Sequence, residues 1–180
     1  MSNKIKKIVL VGPESTGKST LCEQLASHFN TLWVPEHARE YLIKNGTDYT
    51  LEDLILIARN QLMNEDEKIN SLGENNSLLF IDTDLYVMKV WSEFVFNECN
   101  IEILNGIVHR QYDLYLLCEP DIPWVKDELR EYPDHETRDK LYHHYKDAMI
   151  HQHTPWVNIS GDYETRFQKA IDAVQNLIDN

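Results

Sequence analysis

Five short apolar runs punctuate the chain, at residues 6–11, 31–34, 78–81, 113–118 and 156–159, and each reads as a β-strand. The run Leu78-Leu79-Phe80-Ile81 shows no alternation, as expected of a strand covered on both faces. Between the runs, apolar positions fall at helical spacing. Leu21, Leu25 and Phe29 share one face, with Cys22 and Ala26 beside them. Residues 36–43 read as a helix closed by Asn45-Gly46. Thr50 then caps a helix carrying Leu51, Leu54, Ile55, Ala58 and Leu62, which fades into a polar stretch, 64–76, expected to be a helix end and solvated loop. One or two helices run to about His109, another carries Leu141, Tyr145, Ala148 and Met149, and Asp162 caps a last one through Phe167, Ala170, Ile171 and Val174. Strands alternating with helices imply an α/β fold: a parallel, doubly wound sheet with helices on both faces and its ligands at the C-terminal ends of the strands.

The turn after the first strand carries the chemistry. Gly12-Pro13-Glu14-Ser15-Thr16-Gly17-Lys18-Ser19 has the pattern G-x-x-x-x-G-K-[ST], between a strand and a helix, where it forms a phosphate-binding loop (P-loop). The glycines let successive N–H groups point inward, and the following helix adds the positive end of its dipole. Gly12, Glu14, Ser15, Thr16, Gly17, Lys18, Ser19 and Thr20 are therefore the expected nucleotide contacts. Lys18 should reach the β- and γ-phosphates, and Ser19 should ligate Mg²⁺.

Bulk properties exclude other classes. With 180 residues the expectation is one domain, 1–180, holding every site in one fold. The 17 basic and 30 acidic side chains give a net charge of −13, which disfavours nucleic acid and anionic membranes as partners. Cys22, Cys99 and Cys118 form no C-x-x-C pair, so reduced, cytoplasmic thiols are expected rather than a disulfide framework. No run approaches a membrane span, and the start Met1-Ser2-Asn3-Lys4 leads to a strand without a signal-type apolar core. His143, His144, His151 and His153 show no fixed ligand spacing and read as a solvated helix face.

Phosphoryl transfer also needs an acid near Mg²⁺, and Asp82, at the tip of the 78–81 strand, is the candidate. A carboxylate that accepts the acceptor's proton is expected at Glu36, which Pro35 presents at the same rim; Asp84 is the alternative, and Glu36 also suits the first turn of its helix. Pro120, Pro123 and Pro133 bracket a charged segment, 119–136, whose composition suits a lid that brings Arg130 and Arg138 to the phosphates. Trp124 and Tyr132 could stack on a flat, cationic substrate ring or serve core packing. Adenine contacts are expected from 160–166. No Asn-Lys-x-Asp or Thr-Lys-x-Asp base-reading motif favours a GTPase, and the chain lacks room for the helical domain of ring ATPases, which leaves a small-molecule kinase.

These segments resemble the ribosylnicotinamide kinase domain of NadR-type proteins, within the AAA-like grouping of P-loop ATPases. The resemblance rests on the P-loop with its Pro13-Glu14-Ser15, on Glu36 followed by Arg39-Glu40-Tyr41, and on Phe80-Ile81-Asp82-Thr83-Asp84. Trp124-Val125 and Asp127-Glu128-Leu129-Arg130 extend it, so that it covers nearly the whole chain. It implies a three-layer P-loop NTPase fold with sheet order 2-3-1-4-5 and a small lid at about 119–140. The implied activity is transfer of phosphate from ATP to the 5′-hydroxyl of nicotinamide riboside, giving nicotinamide mononucleotide in NAD biosynthesis. The loop and Ser19 would bind Mg·ATP, Asp82 would support the metal, and Glu36 and Asp84 would face the ribose hydroxyls. Arg39 and Trp124 would belong to the substrate site and Arg130 to the lid. Complete NadR proteins carry a DNA-binding segment and an adenylyltransferase domain ahead of the kinase; with no counterpart of either, a stand-alone kinase is expected. Glu128 departs from the small residue expected at its position.

Overall fold

The computed structural model describes residues 5–73 and 76–179. Met1 to Lys4, on which the reading of the chain start rests, and Glu74 and Asn75 of the polar stretch lie outside the described residues. Among the described residues five strands form one sheet: β1 (Lys6–Val11), β2 (Leu32–Val34), β3 (Leu78–Asp82), β4 (Leu114–Cys118) and β5 (Trp156–Ile159). All pairings are parallel, in the order β2-β3-β1-β4-β5, as the resemblance implies. The helices are α1 (Lys18–His28), α2 (His37–Asn45), α3 (Leu51–Ser71), α4 (Leu85–Phe96), α5 (Ile101–His109), α6 (His135–Ile150) and α7 (Tyr163–Asp179).

The period-2 geometry of the strands divides the apolar runs between two layers. Ile8, Leu10, Phe80 and Leu116 pack under α1 and α7 through Leu21, Leu25, Ala170 and Val174. Val9, Val11, Ile81 and Leu117 face the opposite side, against Ala38, Leu54, Ile57, Met88, Ile103 and Met149 of α2 to α6. Each large side chain so buried contributes about 1.5–3 kcal/mol. These two layers hold the strand tips in register, and those tips form the rim on which the site is built.

Two expectations are corrected. The polar stretch is helical as far as Ser71, because its polar residues have buried partners. Glu65 is 1% exposed and accepts hydrogen bonds from Lys7 Nζ (3.0 Å), Arg110 Nε (3.1 Å) and the Tyr112 hydroxyl (2.9 Å), while Ile69 packs against the core. The segment expected to be a lid is irregular only over 119–134. Asp134 accepts the Thr137 N–H at 2.7 Å and starts α6, so 135–140 are already helical. Among the described residues no helix is long and apolar enough to cross a membrane.

The entry to the loop is tight. Gly12 adopts φ +137°, and a Cβ built there would stand 2.5 Å from the Cys118 carbonyl oxygen. Gly12→Ala should therefore destabilise the protein by about 1–3 kcal/mol, read as a lower urea midpoint; an unchanged midpoint would show that β1 and β4 can part at their tips.

Candidate active site

The loop after β1 is shaped by glycine and by its own side chains. Ser15 (φ +56°) and Gly17 (φ +76°) take left-handed conformations, and Gly17 is the N-cap of α1. α1 has no side-chain cap and no acid in its first turn, whereas Thr50, Asp84, Asn100 and Asp134 cap α3, α4, α5 and α6. Its N-terminal N–H groups are thus left for an anion. Lys18 Nζ donates to the Pro13 carbonyl at 2.7 Å, and the Thr16 hydroxyl donates to the same oxygen at 2.8 Å.

The loop forms one wall of a cavity of about 450 Å³. Polar lining comes from residues Gly12 to Thr20, Glu36, Arg39 and Arg130. Leu42, Val87, Trp91, Phe94, Tyr132 and Tyr145 add apolar and aromatic lining. Glu36 is the N-cap of α2, and burial, followed by the charge of Asp82, pushes its carboxyl up to about 7 against the lowering effect of Lys18 and Arg39. Such a group ionises near neutrality, as a general base requires.

Asp82 is 1% exposed and does not itself line the cavity. Burial raises its pKa, while Lys18 and the Ser19 and Thr83 hydroxyls oppose that rise. Neither of its oxygens makes a hydrogen bond in the structure. A buried, orphaned carboxylate beside the P-loop serine fits a Mg²⁺ site whose remaining ligands would be phosphate oxygens and water. Among the described residues no group of three or more His, Cys, Asp or Glu forms a metal site by itself.

Several expected roles are corrected. Asp84 does not face the cavity: it is 1% exposed, accepts the Tyr86 N–H (2.9 Å) and the Tyr115 hydroxyl (2.8 Å), and caps α4. Glu14 lines the cavity, but its carboxylate accepts from the Trp124 indole (3.3 Å) and from the N–H groups of Glu131 (2.9 Å) and Tyr132 (2.8 Å). Ser15 Oγ accepts the Val125 N–H at 3.1 Å. Trp124 is thus drawn onto Glu14 and lies outside the cavity lining. Arg138 is 4% exposed in the first turn of α6, also outside the lining, and its Nε and Nη1 have no hydrogen-bond partner. Arg130 lines the cavity and donates to the Val125 carbonyl, and Arg39 pairs with Asp127 at 2.8 Å.

Arg166, expected near adenine, is instead consumed by the protein. Buried to 3%, it donates to the carbonyls of Gly161 (2.8 Å), Thr16 (3.0 Å) and Glu119 (2.6 Å) and pairs with Asp121. Trp91, Phe94 and Tyr145 are cavity residues that the sequence reading missed. Val87, Trp91 and Phe94 follow the Asp82-Thr83-Asp84 tip at i, i+4 and i+7 on α4, a helical spacing that puts them on one face.

The fold and this site define a P-loop nucleotide-binding protein. A family model described as "AAA domain" matches residues 7–166, and the chain belongs to that family. It is 26% identical to the trifunctional NAD biosynthesis/regulator protein NadR of Escherichia coli, over 97% of this chain and 43% of the relative. The Salmonella typhimurium counterpart is 25% identical over the same shares. The chain thus spans less than half the length of these curated relatives. A crystal structure of a NadR protein in complex with NR superposes with a TM-score of 0.80 at 26% identity, over 96% of this chain and 49% of that one. The Ehrlichia chaffeensis thymidylate kinase shares the fold at 13% identity and a TM-score of 0.67, over 95% of this chain and 99% of that one.

Burial pushes the Asp84 carboxyl up from its ordinary 3.8 to about 7, against the Tyr115 hydroxyl and the Tyr86 N–H. The folded state then binds this proton more tightly than the unfolded state, so Asp84 makes stability rise as pH falls from about 7 toward 4. Asp84→Asn, which keeps the shape without the charge, should gain at least about 1 kcal/mol over the parent at pH 8 and little at pH 5. Urea unfolding at the two pH values measures this; equal differences at both would remove Asp84 as the cause.

Proposed function

We propose that the chain is a magnesium- and ATP-dependent kinase that phosphorylates the 5′-hydroxyl of nicotinamide riboside. The observation that carries this reading is one cavity whose lining combines a phosphate loop and a carboxylate that ionises near neutrality with the aromatic side chains of Trp91, Phe94, Tyr132 and Tyr145. Aromatic faces attract a flat cationic ring, and the described residues of that lining include no side-chain amide to read the edge of a purine or pyrimidine. The NadR relatives, one solved with NR and another with NAD and AMP-PNP, support the same acceptor and donor.

In this mechanism Lys18 exchanges the Pro13 carbonyl for the β- and γ-phosphates, and the N-terminus of α1 receives their charge. Glu36, ionised, orients the acceptor hydroxyl and takes its proton as oxygen bonds to the γ-phosphorus and the bond to ADP breaks. Ser19 and Asp82 would hold Mg²⁺, which when bound neutralises charge on the phosphates. Residues 119–134 form the lid, with Arg130 facing the transferred group. Residues 1–180 act as one kinase domain, working in the cytoplasm on a small molecule and neither nucleic acid nor membrane.

A nucleoside panel assayed for ADP release, with nicotinamide riboside included, tests the acceptor. Riboside-dependent turnover is expected; preference for another nucleoside would replace the acceptor, and turnover indifferent to every acceptor would favour a regulatory ATPase module. Lys18→Ala should abolish turnover with the fold intact. Glu36→Gln should lower kcat about 100-fold or more with little change in the KM for ATP, and an unchanged kcat would remove Glu36 as the base.

A further inference from the structure

At the catalytic rim the sheet opens between β2 and β3. Their pairing ends with Val34 opposite Ile81, because Pro35 has no N–H to continue the ladder. The carbonyls of Asp82 and Thr83 lie beyond the last partner on that side. Gln61, in the middle of α3 and 2% exposed, fills the opening. Its Nε2 donates to Asp82 O (3.3 Å) and Thr83 O (3.1 Å), and its Oε1 accepts the His37 N–H (2.8 Å). Two carbonyls on one side and an N–H on the other permit one orientation of the amide.

The tip so held is strained. Thr83 is β-branched yet adopts φ +76°, a conformation that persists only when its surroundings impose it. Its N–H donates to Leu10 O (3.1 Å) and its carbonyl accepts from Gln61, so one amide fixes the turn that carries Asp82. The same amide holds His37, the first residue of α2 and the neighbour of Glu36. Gln61 is not among the residues lining the cavity.

Resting on the kinase reading above, we propose that Gln61 is a positioning residue for phosphoryl transfer, its carboxamide being the spacer that sets Glu36 against Asp82. A displacement of about 1 Å in such an arrangement costs up to about 100-fold in rate.

The test removes one bond of the spacer without touching Gln61. Proline is tolerated at the first position of a helix, and Glu36, at φ −64° and ψ 114°, already has the conformation suited to a residue before proline. His37→Pro therefore deletes the N–H while α2 persists; His37→Ala deletes the same side chain and keeps the N–H. His37→Pro is expected to lower kcat about tenfold or more, with the KM values for ATP and acceptor within about threefold. His37→Ala should stay within about twofold of the parent. Gln61→Met should reproduce the loss, and adding His37→Pro to it should cost nothing further, as for one shared interaction. A His37→Pro kcat equal to that of His37→Ala overturns the proposal, whether or not Gln61→Met folds. Failure of the acceptor assignment looks different, since the unmodified protein would then be inactive toward nicotinamide riboside. In that case acceptor-free ATP hydrolysis is compared instead, with the same order expected, and equal rates for the two His37 variants again overturn the spacer.

Discussion

The buried guanidinium of Arg166 is the interaction on which the site depends. It reaches from α7 to the Thr16 carbonyl inside the phosphate loop, to the Glu119 carbonyl just past β4, and to Gly161 just past β5. Three strand tips are thereby joined behind the loop, where the described neighbours offer carbonyl oxygens and one carboxylate. A planar donor fork suits such a set better than any other side chain. Within the loop the carbonyls of Pro13 and Thr16 are both engaged by side chains, Pro13 by Lys18 and Thr16, and Thr16 by Arg166.

Much of this was legible in the chain because it is local. Residues 8–11 announce a strand, the glycines and lysine that follow announce the loop, and Pro35 before Glu36 announces a strand end with a carboxylate beyond it. Asp82 was legible for the same reason, standing at the end of an unbroken apolar run. What escaped depends on partners far apart in sequence. Gln61 looks like any polar residue on a long helix until the tip of β3 and the start of α2 arrive beside it. Glu65 escaped similarly: its partners Lys7, Arg110 and Tyr112 are between 45 and 58 residues away, and without them a run of polar letters reads as solvated. Trp91 and Phe94 satisfy a core helix and a cavity wall equally well by period alone. Asp84 turns out to be a helix cap, which in one dimension looks the same as a site carboxylate.

Electrostatically the site is divided against itself. Glu14, Glu36 and Asp82 cluster around a loop built to attract anions, in a chain of net charge −13. Each carboxylate is handled differently. Glu14 accepts hydrogen bonds from two backbone N–H groups and an indole, Asp82 is buried beside Lys18, and Glu36 stands at the cavity wall with its proton held near neutrality. Glu36 has both the exposure and the proton affinity to exchange a proton with something in the cavity.

Glu14 ties the phosphate loop to the segment that carries Tyr132. It sits between Pro13, whose carbonyl holds Lys18, and Ser15, which holds Val125, while its own carboxylate carries the backbone of Tyr132. The phosphate loop and the aromatic wall therefore have a common hinge pin. Because Glu14 accepts from Trp124, Glu131 and Tyr132 and Ser15 accepts from Val125, the loop and the chain that brings Tyr132 to the cavity are tied at four points, and a shift of either strains the other.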